Sequence, residues 1–197
     1  MTRLVLASAS PARLATLRAA GLDPEVVVSG VDESVVTTPD PAALASELAA
    51  LKARAVAADE PDAVVVGCDS VLALDGAIHG KPRDPAEAVA RWRSMRGRSG
   101  VLHTGHCVIA PGGREVLRAA ATTVHFADVT DREIDAYVAT GEPLQVAGAF
   151  TVDGLGGAFV QGIEGDHHNV VGISLPLLRE MLAEVDVSWV SLWSGPY

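Results

Sequence analysis

Short apolar runs alternate with amphipathic stretches along this chain. Residues 4–7 form an apolar, strand-like run, residues 11–20 follow as a helix ended by Gly21, and residues 25–29 read as a second strand. Residues 41–59 are alanine-rich and helical, with Leu44, Leu48, Leu51 and Val56 giving an approximate apolar face. Residues 63–67 are continuously apolar and valine-rich, as in a strand covered on both faces. Residues 70–74 continue that strand to a turn at Asp75-Gly76, a strong hairpin dipeptide. A helix over 85–95 comes next, then strands over 101–109 and 117–126 separated by Pro111-Gly112-Gly113. A helix over 131–138, capped by Thr130, is followed by Gly141. Beyond it Gly148, Gly154, Gly156 and Gly157 punctuate two short strand-like pieces, and residues 175–185 form the last long helix. The aromatic, turn-rich tail 189–197 receives no element. Hairpin signals interspersed with strand–helix units predict an α/β protein with a mixed, twisted sheet and flanking helices.

At 197 residues and 49% hydrophobic composition, the chain can bury a substantial core in one domain or two closely associated lobes. Its apolar stretches are broken by charge well short of the roughly 20 residues a membrane span needs. Met1-Thr2-Arg3 leads into the first strand without a signal-peptide pattern, so a cytoplasmic location and no membrane partner are expected. Cys68 and Cys107 are widely spaced in apolar segments, which predicts buried, reduced thiols rather than a disulfide or a metal cluster. A formal net charge of −10 opposes nonspecific nucleic-acid binding. For a polyphosphate ligand, the same charge requires a site that concentrates its few cations and recruits a divalent metal.

The junction of the first strand and helix, Ser8-Ala9-Ser10-Pro11-Ala12-Arg13, suits an anion. Ser10 is a good N-cap, Pro11 fits the first helical position, and the helix start offers N–H groups with Arg13 one turn away. Taken alone it is equally the start of an ordinary surface helix. Asp69 ends the apolar run Val64-Val65-Val66-Gly67-Cys68, where central strands of α/β folds meet ligands. It could hold a metal or deprotonate water, or cap a turn. Asp32-Glu33 follows the second strand and, with Asp69, could make an oxygen-rich site for Mg²⁺ or Mn²⁺. Lys81 lies in a loop between Gly80 and Pro82, free to meet a phosphate as a point charge. The glycine spacing around it does not match a P-loop, and Pro82 stands where that motif needs Ser or Thr. Lys52, on the alanine-rich helix, reads by itself as solvated. His103 with His106, and His167 with His168, lack a third and fourth ligand for structural zinc. Cys68 carries no signature of covalent catalysis.

In this order and spacing the chain resembles the Maf family of nucleoside triphosphate pyrophosphatases along nearly its full length. The blocks are LASASPAR at 6–13, VDES at 31–34, LKA at 51–53, GCDS at 67–70, GKP at 80–82, EPLQVAGAF at 142–150 and GDHHNVVGISLP at 165–176. The resemblance implies a single domain over 1–197 formed of two lobes with a central cleft, in the manner of inosine triphosphatases, and commonly a homodimer. It implies hydrolysis of a nucleoside triphosphate, ordinary or modified, between the α and β phosphates. The products are the monophosphate and pyrophosphate, and the cofactor is a divalent cation, Mg²⁺ or Mn²⁺. By position, Asp69 falls on the catalytic acid/base and a metal ligand and Glu33 on a metal ligand. Ser8, Ser10, Arg13, Lys52 and Lys81 fall on residues lining the triphosphate.

Three positions depart from the family pattern. Ala12 stands where a first basic residue is common. Ser70 replaces the Thr or Gln that follows the catalytic Asp in two subgroups, and Asp153 stands where those subgroups carry Gln or Glu. A carboxylate at Asp153 only accepts hydrogen bonds, which favours a base edge rich in N–H donors such as guanine's. Two other functions compete: a nucleotide-sensing regulatory protein linked to cell division, and a phosphatase releasing orthophosphate.

Overall fold

The computed structural model describes residues 2–194; Met1 and the end of the tail, residues 195–197, lie outside the described residues. Among the described residues five helices start at a short polar cap, which occupies backbone N–H groups that the first turn leaves unpaired. Ser10 caps α1 (Pro11–Ala19), Asp40 caps α2 (Pro41–Ala57) and Asp84 caps α3 (Pro85–Met95), each with proline in the first turn. Thr130 and Glu133 form a reciprocal capping box on α4 (Asp131–Ala139). The short α5 (His167–Val171) is followed by α6 (Leu175–Glu184), capped by Ser174.

Among the described residues seven strands, β1 (Leu4–Leu6), β2 (Glu25–Val26), β3 (Val64–Leu74), β4 (Ala77–His79), β5 (Ser99–Ile109), β6 (Glu115–Phe126) and β7 (Val160–Glu164), form one mixed sheet in the order β2-β1-β3-β5-β6-β7, with β4 on β3. β1 runs parallel to β2 and β3, whereas β4 on β3 and β7 on β6 are antiparallel. The α/β architecture with flanking helices is as the sequence predicts. Among the described residues no helix is long and apolar enough to cross a membrane.

The chain divides into two compact units. The first holds the residues up to Asp69, Thr104–Ala120 and the segment from Gly172 onward; the second holds Ser70–His103 and Ala121–Val171. In the first, Val64 and Val66 pack with Leu6, Leu17, Leu178 and Met181, while Val65, between them, packs with Val5, Ala49 and Ala53. The strand is thus covered on both faces, as its valine run predicts. In the second unit Trp92 is fully buried and meets Phe126, Tyr137 and Phe159 edge to face at 5.8, 5.6 and 5.9 Å. Its indole N–H donates to the Ala149 carbonyl at 2.7 Å, so the ring's polar atom is satisfied inside the core.

Three predicted features change. The strand expected over 25–29 is confined to Glu25–Val26, with Val27 N–H still bonded to Leu6 O, and Gly30 turns the chain at φ +63°. α2 buries the stripe Ala45, Ala49 and Ala53 with Leu48 and Val56, while Leu44 and Leu51 are only half-buried. The glycine-rich region makes one strand rather than two, preceded by 3-10 turns over Glu142–Gln145, Ala147–Ala149 and Leu155–Phe159. There Gly141 and Gly148 take φ +77° and +72°, and the Leu155 and Gly156 amides bond to the Glu142 carboxylate instead of a neighbouring strand.

Candidate active site

The alanine stripe of α2 explains how the first unit assembles its charged groups. A Cβ on Gly67 would collide with the Ala49 carbonyl oxygen and sit 2.9 Å from Ala53 Cβ, and one on Gly105 would collide with the Ala45 carbonyl oxygen. Helix and strands touch backbone to backbone. Lys52, next to Ala53, is thereby carried to the end of the valine run, where Nζ lies 2.5 Å from Asp69 Oδ1 and 2.8 Å from Glu33 Oε1. The Lys52 and Asp69 side chains are only 12% and 14% exposed, Glu33 53%. Asp32 does not join them: its Oδ1 accepts from Ser34 Oγ at 2.7 Å and Ser34 N–H at 3.0 Å, starting the 3-10 turn that presents Glu33.

The Ser8–Arg13 loop lies beside this group. Ala7 N–H donates to Val66 O at 2.8 Å, continuing the parallel pairing of β1 with β3 toward Ser8 and Cys68. Ser10 is the N-cap, as the sequence predicts, with Oγ 3.4 Å from Arg13 N. Arg13 itself is buried: Nε donates to Gly172 O at 2.7 Å and Nη1 to Ser8 Oγ at 3.0 Å, and Ser8 Oγ also accepts from Ser10 N–H at 3.2 Å. The guanidinium, one turn from the helix start, thus fastens the loop to the start of the α6 segment. Ala12, half-buried behind the cap, adds no charge. The first unit therefore gathers Ser8, Ser10, Arg13, Glu33, Lys52 and Asp69 just past the carboxyl end of β1 and beside the middle of β3; Asp69 ends the valine run but not the strand, which continues to Leu74 because its second half packs in the other unit.

The second unit holds Ser70, Lys81 and Asp153. Ser70 is half-buried, and Lys81 and Asp153 are exposed. The Gly80 carbonyl, just before Lys81, accepts from Gly148 N–H at 3.0 Å and from the buried Arg91 Nη1 at 2.5 Å. Arg91 in turn donates to Glu87 Oε1 at 2.8 Å, which compensates its desolvation. Sequence reasoning gave Arg91 no role, since only its helical position marks it, and read Gly148 only as a break between strand-like pieces.

Other candidates resolve into packing. Burial pushes the Cys68 thiol up to about 12, against the pull of Arg13 and Lys52, and burial likewise raises Cys107 to about 12; such thiols are inert. His106 is fully buried, with Nδ1 3.0 Å from Thr104 O and Nε2 accepting from Ser174 N–H at 2.8 Å, so both ring nitrogens are engaged by backbone. Asn169, also buried, donates to Leu102 O and Thr122 Oγ1.

Chemically, two carboxylates converging on one ammonium form a hard, oxygen-donor set. It fits Mg²⁺ or Mn²⁺, which is held by one or two carboxylates together with substrate phosphate oxygens. Among the described residues no group of three or more Asp, Glu, His or Cys gathers as an all-protein cage.

Residues 3–185 match the family model described as Maf-like protein. The chain is 60% identical over 198 residues to the nucleoside triphosphate pyrophosphatase of Salinispora tropica, covering 98% of this chain and 88% of that protein. It is 60% identical over 196 residues to the protein of the same name from Streptomyces coelicolor, covering 98% and 95%. Over 193 residues it is 54% identical to that of Synechococcus elongatus, covering 97% of each.

Proposed function

The chain belongs to the Maf-like family, and from that premise we propose that it is a nucleoside triphosphate pyrophosphatase, a hydrolase that converts a nucleoside triphosphate to the monophosphate and pyrophosphate. The observation that carries the reading is Lys52 Nζ within ion-pair distance of both Asp69 and Glu33, beside the Ser8–Ser10 loop. Sensing a nucleotide would not require a carboxylate held in reserve beside its cation.

Glu33 and Asp69 would hold a divalent cation, Mg²⁺ or Mn²⁺, which when bound supplies charge stabilisation at the phosphoryl oxygens. Asp69 takes a proton from the water that attacks the α-phosphorus in line. The bond from that phosphorus to the α–β bridging oxygen breaks, and pyrophosphate leaves. Lys52 offsets charge on the departing group. Ser8 and Ser10 line the phosphates on a loop that Arg13 keeps in shape. Catalysis of this kind is mainly positional and electrostatic.

The test is product identity. With Mg²⁺, the chain is expected to release pyrophosphate and no orthophosphate from a nucleoside triphosphate. Asp69→Asn, which keeps size and removes the base, is expected to lower turnover by about 10²-fold or more with the fold intact by circular dichroism. Orthophosphate as the product, or wild-type turnover in the variant, contradicts the assignment.

A further inference from the structure

In the second unit one carboxylate gathers four donors. Glu142 Oε1 accepts from Tyr137 Oη at 2.9 Å, Thr151 Oγ1 at 2.5 Å and Gly156 N–H at 3.0 Å, and Oε2 accepts from Leu155 N–H at 3.0 Å. Three of the four belong to the segment 151–156, whose Thr151 N–H also donates to Tyr137 Oη at 3.2 Å. Its glycines are sized to this arrangement. A Cβ on Gly154 would lie 2.7 Å from Glu142 Oε2, and one on Gly156 would collide with Tyr137 Oη. Hydrogen bonds to an ionised acceptor are roughly twice as strong as neutral ones, so this segment is tied down by charge-assisted bonds.

The same segment carries the exposed Asp153 carboxylate and, two residues on, the exposed Leu155 side chain. An acceptor that meets N–H donors and an apolar surface that meets a ring face are together what nucleobase recognition needs.

Resting on the pyrophosphatase reading, we infer that Glu142 is a positioning residue for base selection. By holding Thr151, Leu155 and Gly156 it fixes the loop on which Asp153 meets a base edge rich in N–H donors, of the guanine kind. Discrimination among nucleotides therefore depends on Glu142, while chemistry at the phosphates does not.

Glu142→Gln keeps the side chain's shape but turns one acceptor oxygen into a donor that cannot serve the same partners. Pyrophosphate release from GTP and UTP by the full chain with Mg²⁺ tests the idea. Wild type is expected to favour GTP, and Glu142→Gln to reduce the GTP/UTP ratio of kcat/KM about tenfold through KM for GTP, with kcat within about threefold. Asp153→Asn should reduce the same ratio, and the double variant should go no further than either alone, because both act on one contact. Tyr137→Phe, which removes one donor, should move the ratio the same way by less, and carries the test if Glu142→Gln does not fold. An unchanged ratio, a fall in kcat on both nucleotides with the ratio held, or a wild type that prefers UTP overturns the inference. If wild type releases no pyrophosphate, the functional reading fails. Glu142 is then judged by binding of fluorescent GTP and UTP analogues: a preference lost in the same variants supports it, and no preference or no binding overturns it.

Discussion

Lys52 and Asp69 share a largely buried ion pair, so each sets the cost of losing the other. Removing the cation leaves a carboxylate largely out of water without its partner, a loss out of proportion to the modest value of the intact pair. Lys52→Met is expected to lower stability by about 1–3 kcal/mol. Asp69→Asn placed on top should recover part of that, because the stranded charge is gone. Urea unfolding of wild type, both single variants and the double variant measures the coupling; strictly additive costs would mean that the pair does not form in solution. Asp69 was legible as a candidate because a carboxylate that interrupts an apolar run has few idle uses. Lys52 was not, since its own helix marks it as solvated and only the approach of α2 to β3 gives it partners; the family resemblance supplied it. Arg13 was legible as a residue of the loop but not as its buried fastener, because Gly172 O lies 159 positions away in the chain.

The element that sets Lys52 in place is α2, and what sets α2 is the absence of side chains opposite it. Gly105 is tucked beneath the Ala45 carbonyl as Gly67 is beneath that of Ala49, so a methyl group at either site has to push the helix outward. Overpacking of this kind costs typically 1–3 kcal/mol. Gly105→Ala is expected to lose about that much stability and, because displacing α2 carries Lys52 away from Asp69, to lose turnover as well. Gly162→Ala, whose added Cβ would meet only the His125 ring at 3.9 Å, should change neither. Comparing the two by urea midpoint and pyrophosphate release checks the argument; a Gly105→Ala protein with wild-type stability and turnover would show that the close approach is not needed. Helices were the most legible elements, since their starts are governed by local rules that Ser10-Pro11 and Thr130 display within a few residues. The region from Gly141 to Glu164 was least legible. Its turns depend on left-handed glycines and on a carboxylate that competes for backbone N–H groups, and neither leaves a periodic pattern.

Across the whole molecule acidic residues outnumber basic ones, 25 against 15, and several carboxylates are held below their ordinary range. A hydrogen bond from Arg83 takes Glu87 down to about 2, and Arg54 lowers Glu115, Arg96 lowers Asp131 and Arg3 lowers Glu25 in the same way. Glu142 is also lowered: burial opposes its charge, but bonds from Thr151, the Leu155 and Gly156 amides and Tyr137 outweigh that. Since each folded value is depressed, the unfolded chain takes up protons first. The stability these groups contribute is complete above the ordinary carboxylate range and is lost as pH falls through the folded values. Urea midpoints should therefore stay level from neutral pH to about 5 and then fall progressively below about 4.5. Salt separates the contributors. The self-repulsion of the excess negative charge is largely screened beyond about 10 Å at 0.1 M ionic strength, and as that length shortens toward about 3 Å at 1 M the exposed arginine pairs weaken too. The donors on Glu142 are neutral and at contact distance, so its share persists. At about 0.5 M NaCl the remaining acid sensitivity should be shallower in Glu142→Gln than in wild type, because an amide cannot lose its acceptor to a proton. Parallel pH dependences for the two proteins at high salt would mean that the four bonds to Glu142 do not outlast the surface charges.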